Sequence, residues 1–265
     1  MPTSLPSAIV SRLEKAAVDN GFDRELPAVG DWLAFASTQC PLSIRLGTTV
    51  GGAFAIALSR HNVAVALGRL GEPFGETLPP GAVGARVVSD IPTLHHLIRR
   101  AFQLSKTLPD ELLHVFLART AILPRTTEAE RLVIQRVGQD IFRQGLLDYW
   151  EGRCAITGLA VPELLRASNI KPWAACETNA ERLDVYNGLL LAPHLDAAFD
   201  RGFITIADTG AVIVSSALDG TARQILGLET PASVRTTSAG HVGYLRWHQK
   251  FVFLEGGNRS RGSWP

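Results

Sequence analysis

Between Cys154 and Thr205 the chain gathers more chemically useful side chains than anywhere else along its length. Ser168-Asn169-Ile170-Lys171-Pro172-Trp173 is followed by Asn187-Gly188, then His194, Asp196 and Asp200. Asp196 and Asp200 stand four positions apart, so on a helix their carboxylates share a face. His194 is the one histidine of the stretch. Asn169 brings an amide, which has no titratable nitrogen near neutral pH and cannot take a proton from water. Arg153, Arg166, Lys171, Arg182 and Arg201 lie around these residues. Such cations either contact phosphates or keep a surface solvated.

These residues resemble the HNH, or ββα-metal, nuclease motif in the form carried by bacterial HNH endonucleases. The resemblance covers about 50 of the 265 residues. Where that family has Ser-His-Ile-x-Pro-Trp, this chain has Ser168-Asn169-Ile170-Lys171-Pro172-Trp173. The resemblance implies a β-hairpin, a helix and a single divalent metal ion. In the family a histidine on the hairpin activates water, and an asparagine, matched here by Asn187, holds that histidine's ring by a hydrogen bond. Metal ligands come from the residue before the histidine, here Ser168, and from the helix. Asp196 fits the helical ligand best, nine positions after Asn187, with Asp200 and His194 ranked behind it. The ion, Mg²⁺ or Mn²⁺ first and Zn²⁺ or Ni²⁺ as further options, polarises the phosphate and stabilises the leaving oxygen.

On this resemblance Asn169, Asn187 and Asp196 are the catalytic positions, and the five basic residues are candidate DNA contacts. Many relatives have Asp or His where Ser168 stands, so the first ligand is weak or acts through water. The change at Asn169 goes deeper, because losing a general base lowers a rate by roughly 10²–10⁴-fold. The implied function is a metal-dependent endonuclease on double-stranded DNA, serving restriction or phage defence, selective for modified DNA in some members, and impaired in this copy. With Asn187 and Asp196 kept, the replacement reads as engineered into a working site more than as natural decay. The alternative is a non-catalytic DNA-binding or regulatory protein on a degenerate HNH scaffold. A homodimer is the expected assembly, since one-centre enzymes cut two strands through two subunits or successive nicks.

The elements that must hold these residues are legible in outline. Leu5–Asn20 is helical and stops at Gly21. Trp32–Ala36, Ser43–Leu46 and Ala53–Leu58 read as strands, with Gly51-Gly52 turning a hairpin. His61–Leu70 is helical, and the Pro- and Gly-rich segment Glu72–Gly84 is a loop. Helices follow over Ile91–Leu104 and Glu111–Arg119. The longest runs from Thr127 to Trp150, capped by Thr126 or Thr127. Its apolar stripe is Leu132, Val133, Val137, Ile141, Phe142 and Leu146. Arg125, Arg131, Arg136 and Arg143 line this region as a solvated face or as phosphate contacts. Past the motif, Asp208-Thr209-Gly210 turns a hairpin between Phe203–Ala207 and Ala211–Ser215. Ala222–Leu226 is a short helix, and Gly243–Phe253 is amphipathic.

The predicted class is α+β: an N-terminal α+β module at 1–105, a helical connector at 106–150, a C-terminal ββα-metal (HNH) domain at 151–255 and a tail at 256–265. Proteins of the resembled kind often join the nuclease to a DNA reader, a role open to the N-terminal module. Net charge is +1, from 26 basic and 25 acidic residues, so any DNA binding depends on a local patch. No apolar run approaches the length of a membrane span, and no secretion signal stands at the N-terminus. Both point to the cytoplasm and away from a membrane. Cys40, Cys154 and Cys176 form no C-x-x-C pair, which excludes the structural zinc that many HNH proteins bind through two such pairs.

Overall fold

The computed structural model describes residues 5–68, 70–124, 127–235 and 237–255. Helix takes 44% and strand 18%, a mixture compatible with an α+β class. The chain divides into two compact units, Met1–Leu108 and Pro109–Pro265. Among the described residues no helix is long and apolar enough to cross a membrane.

The first unit opens with helix α1 (Ser7–Asp19). Six strands follow: β1 (Arg24–Val29), β2 (Trp32–Ala36), β3 (Ser43–Thr48), β4 (Phe54–Leu58), β5 (Glu72–Pro73) and β6 (Gly84–Val88). Helix α2 (His61–Ala66) interrupts them after β4, and α3 (Ile91–Thr107) closes the unit. The strands form one sheet ordered β1-β2-β3-β4-β6-β5 with antiparallel pairing throughout. Every residue of β4 is buried, as a central strand beneath helices requires. Helix α3 turns Leu94, Leu97, Ile98, Ala101 and Leu104 inward at three- and four-residue spacing. The Asp90 side chain caps it by accepting from the Thr93 amide at 2.8 Å.

Two departures from the sequence reading fall here. Strand β1 escaped notice because Arg24, Glu25 and Pro27 break any apolar alternation, and the strand lies exposed at the sheet edge. The loop expected over Glu72–Gly84 contains β5, and β6 begins at its end. In β6 only Val88 is buried, so the apolar signal is weak.

The second unit contains α4 (Glu111–Thr120), α5 (Glu128–Tyr149), β7 (Arg166–Asn169), α6 (Asn179–Leu183), β8 (Gly188–Leu191) and α7 (Pro193–Asp200). Then come β9 (Ile204–Ile206), β10 (Val212–Val214), α8 (Gly220–Ile225) and α9 (Ala239–Phe251). Thr127 caps α5 in a reciprocal pair: its hydroxyl accepts from the Glu130 amide, and Glu130 accepts from the Thr127 amide at 2.8 Å. The other candidate cap, Thr126, and Arg125 lie outside the described residues. The buried stripe of α5 is Gly138, Ile141, Phe142, Gly145, Leu146 and Tyr149. Leu132 and Val133, placed in the stripe by sequence, are about half exposed at 54% and 50%. Arg143 also departs from expectation: it donates to the carbonyls of Leu165 at 2.7 Å and Pro162 at 3.0 Å, pinning the turn that leads into β7.

Strands β7 and β8 pair antiparallel, with Asn169 opposite Gly188 and Ser168 opposite Leu189. Gly188 lets this hairpin lie close against α5. A Cβ there would come within 2.6 Å of Leu146 Cδ2 and Phe142 Cζ. Packing of this hairpin, with α7 against β7 and β9, brings the motif residues together.

Candidate active site

Strand β7 ends on Ser168 and Asn169, and α7 runs past it with Asp196 and Asp200 one turn apart. The Ser168 hydroxyl is buried and donates to Asp200 Oδ1 at 3.2 Å. It also lies close enough to Asp196 to favour that carboxylate's charged form. Both carboxyls are pushed above the usual range, in each case chiefly by burial. For Asp200 the neighbouring Asp196 charge pushes further the same way, while Arg201 opposes it. For Asp196 the opposing charge is Arg166. Asp196 is half-buried and Asp200 exposed, and two like charges one turn apart gain from a cation.

Asn169, Ser168, Trp173, Asp200 and His248 line one cavity of about 340 Å³. The Asn169 Nδ2 is sealed from solvent and has no hydrogen-bond partner among the described residues. An unpaired buried donor costs about 1–3 kcal/mol, so position 169 is not optimised for the fold.

Asn187 is fully buried, and its side chain does not reach Asn169. Its Oδ1 accepts from the Lys171 amide at 2.7 Å. Its Nδ2 donates to the carbonyls of Lys171 at 3.1 Å and Glu181 at 3.0 Å, and to Cys176 Sγ at 3.4 Å. The ring-holding bond implied by the resemblance is thus replaced by a clamp on the 171–181 loop. Short side chain and close loop backbone make this the nearest set of partners.

His194 is exposed and two residues before Asp196, which turns it about 200° around the helix, away from the carboxylate face. It is not beside the pair. The basic residues divide. Lys171 forms an ion pair with Glu181 at 3.0 Å with only 12% of its side chain exposed. Arg182 donates to the carbonyls of Trp173 and Cys176 and to Asn179 Oδ1. These two charges serve the loop, because the loop backbone folds around them. Arg153, Arg166 and Arg201 are exposed.

His248 comes to the cavity from α9, about fifty residues after α7, which no local spacing could reveal. Its Nε2 lies 3.1 Å from the Phe199 carbonyl and Nδ1 2.9 Å from Thr205 Oγ1. The carbonyl can only accept, so Nε2 carries the proton and Nδ1 accepts from the hydroxyl. The ring stacks on Phe199 at 3.8 Å. His241 is buried among Tyr149, Trp150 and Tyr186 and accepts from the Ser238 amide. Burial pulls both histidines down to about 4. The unfolded chain therefore takes up protons first as pH falls from 6.5, the ordinary value, toward 4. Stability is full above that window and is lost on acidification through it, by roughly 1.4 kcal/mol per pH unit per histidine. Thermal midpoints of the protein at pH 7 and pH 5 are expected to show the drop, and an unchanged midpoint would contradict both placements.

Cys154 is buried, and its sulfur accepts from the amides of Thr157 at 3.4 Å and Ala192 at 3.3 Å. It joins the turn after α5 to the start of α7. Cys176 is buried beside Asn187.

Among the described residues no three His, Cys, Asp or Glu side chains cluster around a point that could hold a metal. The donors present are two carboxylates, a hydroxyl and an amide. They suit Mg²⁺ or Mn²⁺, which take one or two carboxylates and keep several waters. They do not suit the nitrogen- and sulfur-rich sites of Zn²⁺ or Ni²⁺: His194 faces away, and both nitrogens of His248 are engaged.

With this geometry in hand, comparison with known proteins adds one finding. Residues 154–207 match the family model described as HNH endonuclease, about one fifth of the chain. A search of curated proteins finds no match. The family match supports an HNH nuclease domain in the second unit and suggests nuclease activity on DNA. HNH nucleases generally use a divalent metal ion.

Proposed function

We propose that the second unit is a metal-dependent HNH nuclease centre for double-stranded DNA, with turnover lowered by Asn169 at the base position. One observation carries this reading. The Ser168 hydroxyl donates to Asp200 and lies close to Asp196, one helical turn from Asp200, and Ser168, Asn169 and Asp200 line one cavity, with the Asn169 Nδ2 buried and unpaired. Asp196, Asp200 and Ser168 would hold Mg²⁺ or Mn²⁺. When bound, the ion would neutralise charge on the phosphate and the leaving oxygen. Arg166 and Arg201, exposed at either end of the carboxylate pair, would contact the DNA backbone, with Arg153 further out. Asn187 acts as a positioning residue through the loop that it clamps. The first unit serves as a reader of DNA sequence or modification, in a restriction or phage-defence role, and two copies act together on the two strands.

The test is divalent-ion binding by the chain as it stands. A ligand that binds only the folded state raises the thermal midpoint by mass action. Millimolar Mn²⁺ is expected to raise it, and Asp196→Asn together with Asp200→Asn is expected to abolish the rise. A midpoint indifferent to Mg²⁺ and Mn²⁺, with and without DNA, would rule out the metal centre. A second reading draws on Asn169 itself. A protein whose base position cannot accept a proton could bind DNA without cutting it, on the same scaffold.

A further inference from the structure

Trp173 lines two cavities, the one just described and another of about 310 Å³ built from α4, α5 and α6. The second is lined by Phe116, Arg131, Ile134, Gln135, Asn179 and Arg182 as well as Trp173. Its chemistry differs from that of its neighbour. Trp173 is its open aromatic wall; the buried Phe116, the half-buried Ile134, two guanidinium groups and two carboxamides complete it, and no acidic residue lines it.

Trp173 is held firmly between the two spaces. It follows Pro172 in a short 3-10 turn. A Cβ at Gly138 would stand 2.8 Å from the indole Cη2, so α5 offers the ring a seat bare of any side chain. The Arg182 guanidinium lies 5.9 Å from the ring centroid, and its Nε donates to the Trp173 carbonyl at 3.2 Å. Arg182 Nη1 also donates to Asn179 Oδ1 at 3.2 Å. The Asn179 carbonyl oxygen is thus occupied from the protein side, which leaves its NH₂ as the group for a ligand acceptor.

We propose that this cavity receives one unpaired nucleobase of the DNA strand whose phosphate enters the adjacent active cavity. The inference rests on the nuclease reading above. A base has a π face for Trp173 and a hydrogen-bonding edge for carboxamides. The flanking phosphates of its strand suit the cationic rim, and a guanidinium beside an aromatic ring adds to stacking. A base inside a duplex cannot enter such a recess, so the occupant is a base already unpaired or extruded from the stack. Trp173 then serves as the partition that fixes the distance between base and scissile phosphate.

The experiment compares binding of the full chain to two DNA duplexes, one fully paired and one with a single unpaired thymine, by fluorescence anisotropy in Mn²⁺. The duplex with the unpaired base is expected to bind on the order of tenfold tighter, as one base–aromatic stack provides. Gln135→Phe, which fills the cavity, is expected to erase that preference and leave paired-duplex affinity unchanged. Arg131→Ala, at an exposed position, is expected to weaken the preference without disturbing the fold. Photocrosslinking from 5-iodouracil at the unpaired position should map to Trp173. Equal binding of the two duplexes, or a crosslink mapped elsewhere, would overturn the base pocket and leave the nuclease reading standing. Failure to bind either duplex would overturn both.

Discussion

Asn169→His is expected to raise metal-dependent nicking of plasmid DNA by roughly 10²–10⁴-fold over the chain as it stands. The reason is confined to one position. Asn169 ends β7 with its amide at the wall of a cavity that also contains Asp200, so an imidazole there would sit beside the candidate metal ligands. Unlike the amide, an imidazole can take the proton of an attacking water near neutral pH. The activity of the variant should increase with pH through the range where a histidine loses its proton, near 6.5. In that background Asp196→Asn should return nicking to the starting level. If Asn169→His binds DNA and does not nick it with Mg²⁺ or Mn²⁺, the chain is a DNA-binding protein on a retired nuclease scaffold.

Asn187→Leu is expected to lower the unfolding free energy of the second unit by about 3–5 kcal/mol. Asn187 is fully buried and bonds three backbone groups of the 171–181 loop: the Lys171 amide, the Lys171 carbonyl and the Glu181 carbonyl. Leucine fills a similar volume and leaves those groups buried without partners, at about 1–3 kcal/mol each. Since a domain has only about 5–15 kcal/mol to lose, the urea midpoint should move far toward zero. A loss below about 1 kcal/mol would show that the loop holds itself. The same substitution should abolish any nicking gained by Asn169→His, because the loop begins two residues after position 169.

The sequence makes Asn187 conspicuous through its Asn-Gly pair but not its role, which depends on a loop closing back over sixteen residues. Asp196 and Asp200 were legible because helical spacing alone puts them on one face. Ser168 was legible by position, yet its bond to Asp200 spans 32 residues and required the hairpin to pack on α7. The basic residues illustrate the reverse problem. Lys171 looks like a DNA contact in a string of letters, and only the folded loop supplies Glu181 as its ion-pair partner. His248 and the second cavity were out of reach for the same reason: their walls come from α4, α5, α6 and α9, which no motif links. Within the first unit, strands with apolar alternation were readable, whereas β1 and β6 owe their place to pairing with neighbours.

The sulfur of Cys154 bears on how the proposed metal centre would relate to the fold. Many HNH proteins bind a structural zinc through two C-x-x-C pairs, and this chain has no such pair. Here a buried thiol accepts from the amides of Thr157 and Ala192, so the joint is made by hydrogen bonds to sulfur. On the proposed function the fold would form without the catalytic ion, which would add to its stability only by binding it. A chelator would strip such a protein of its catalytic ion while leaving the scaffold and any grip on DNA in place. In a cell, the supply of free divalent cation could then govern when the site is live without ever putting the fold at risk.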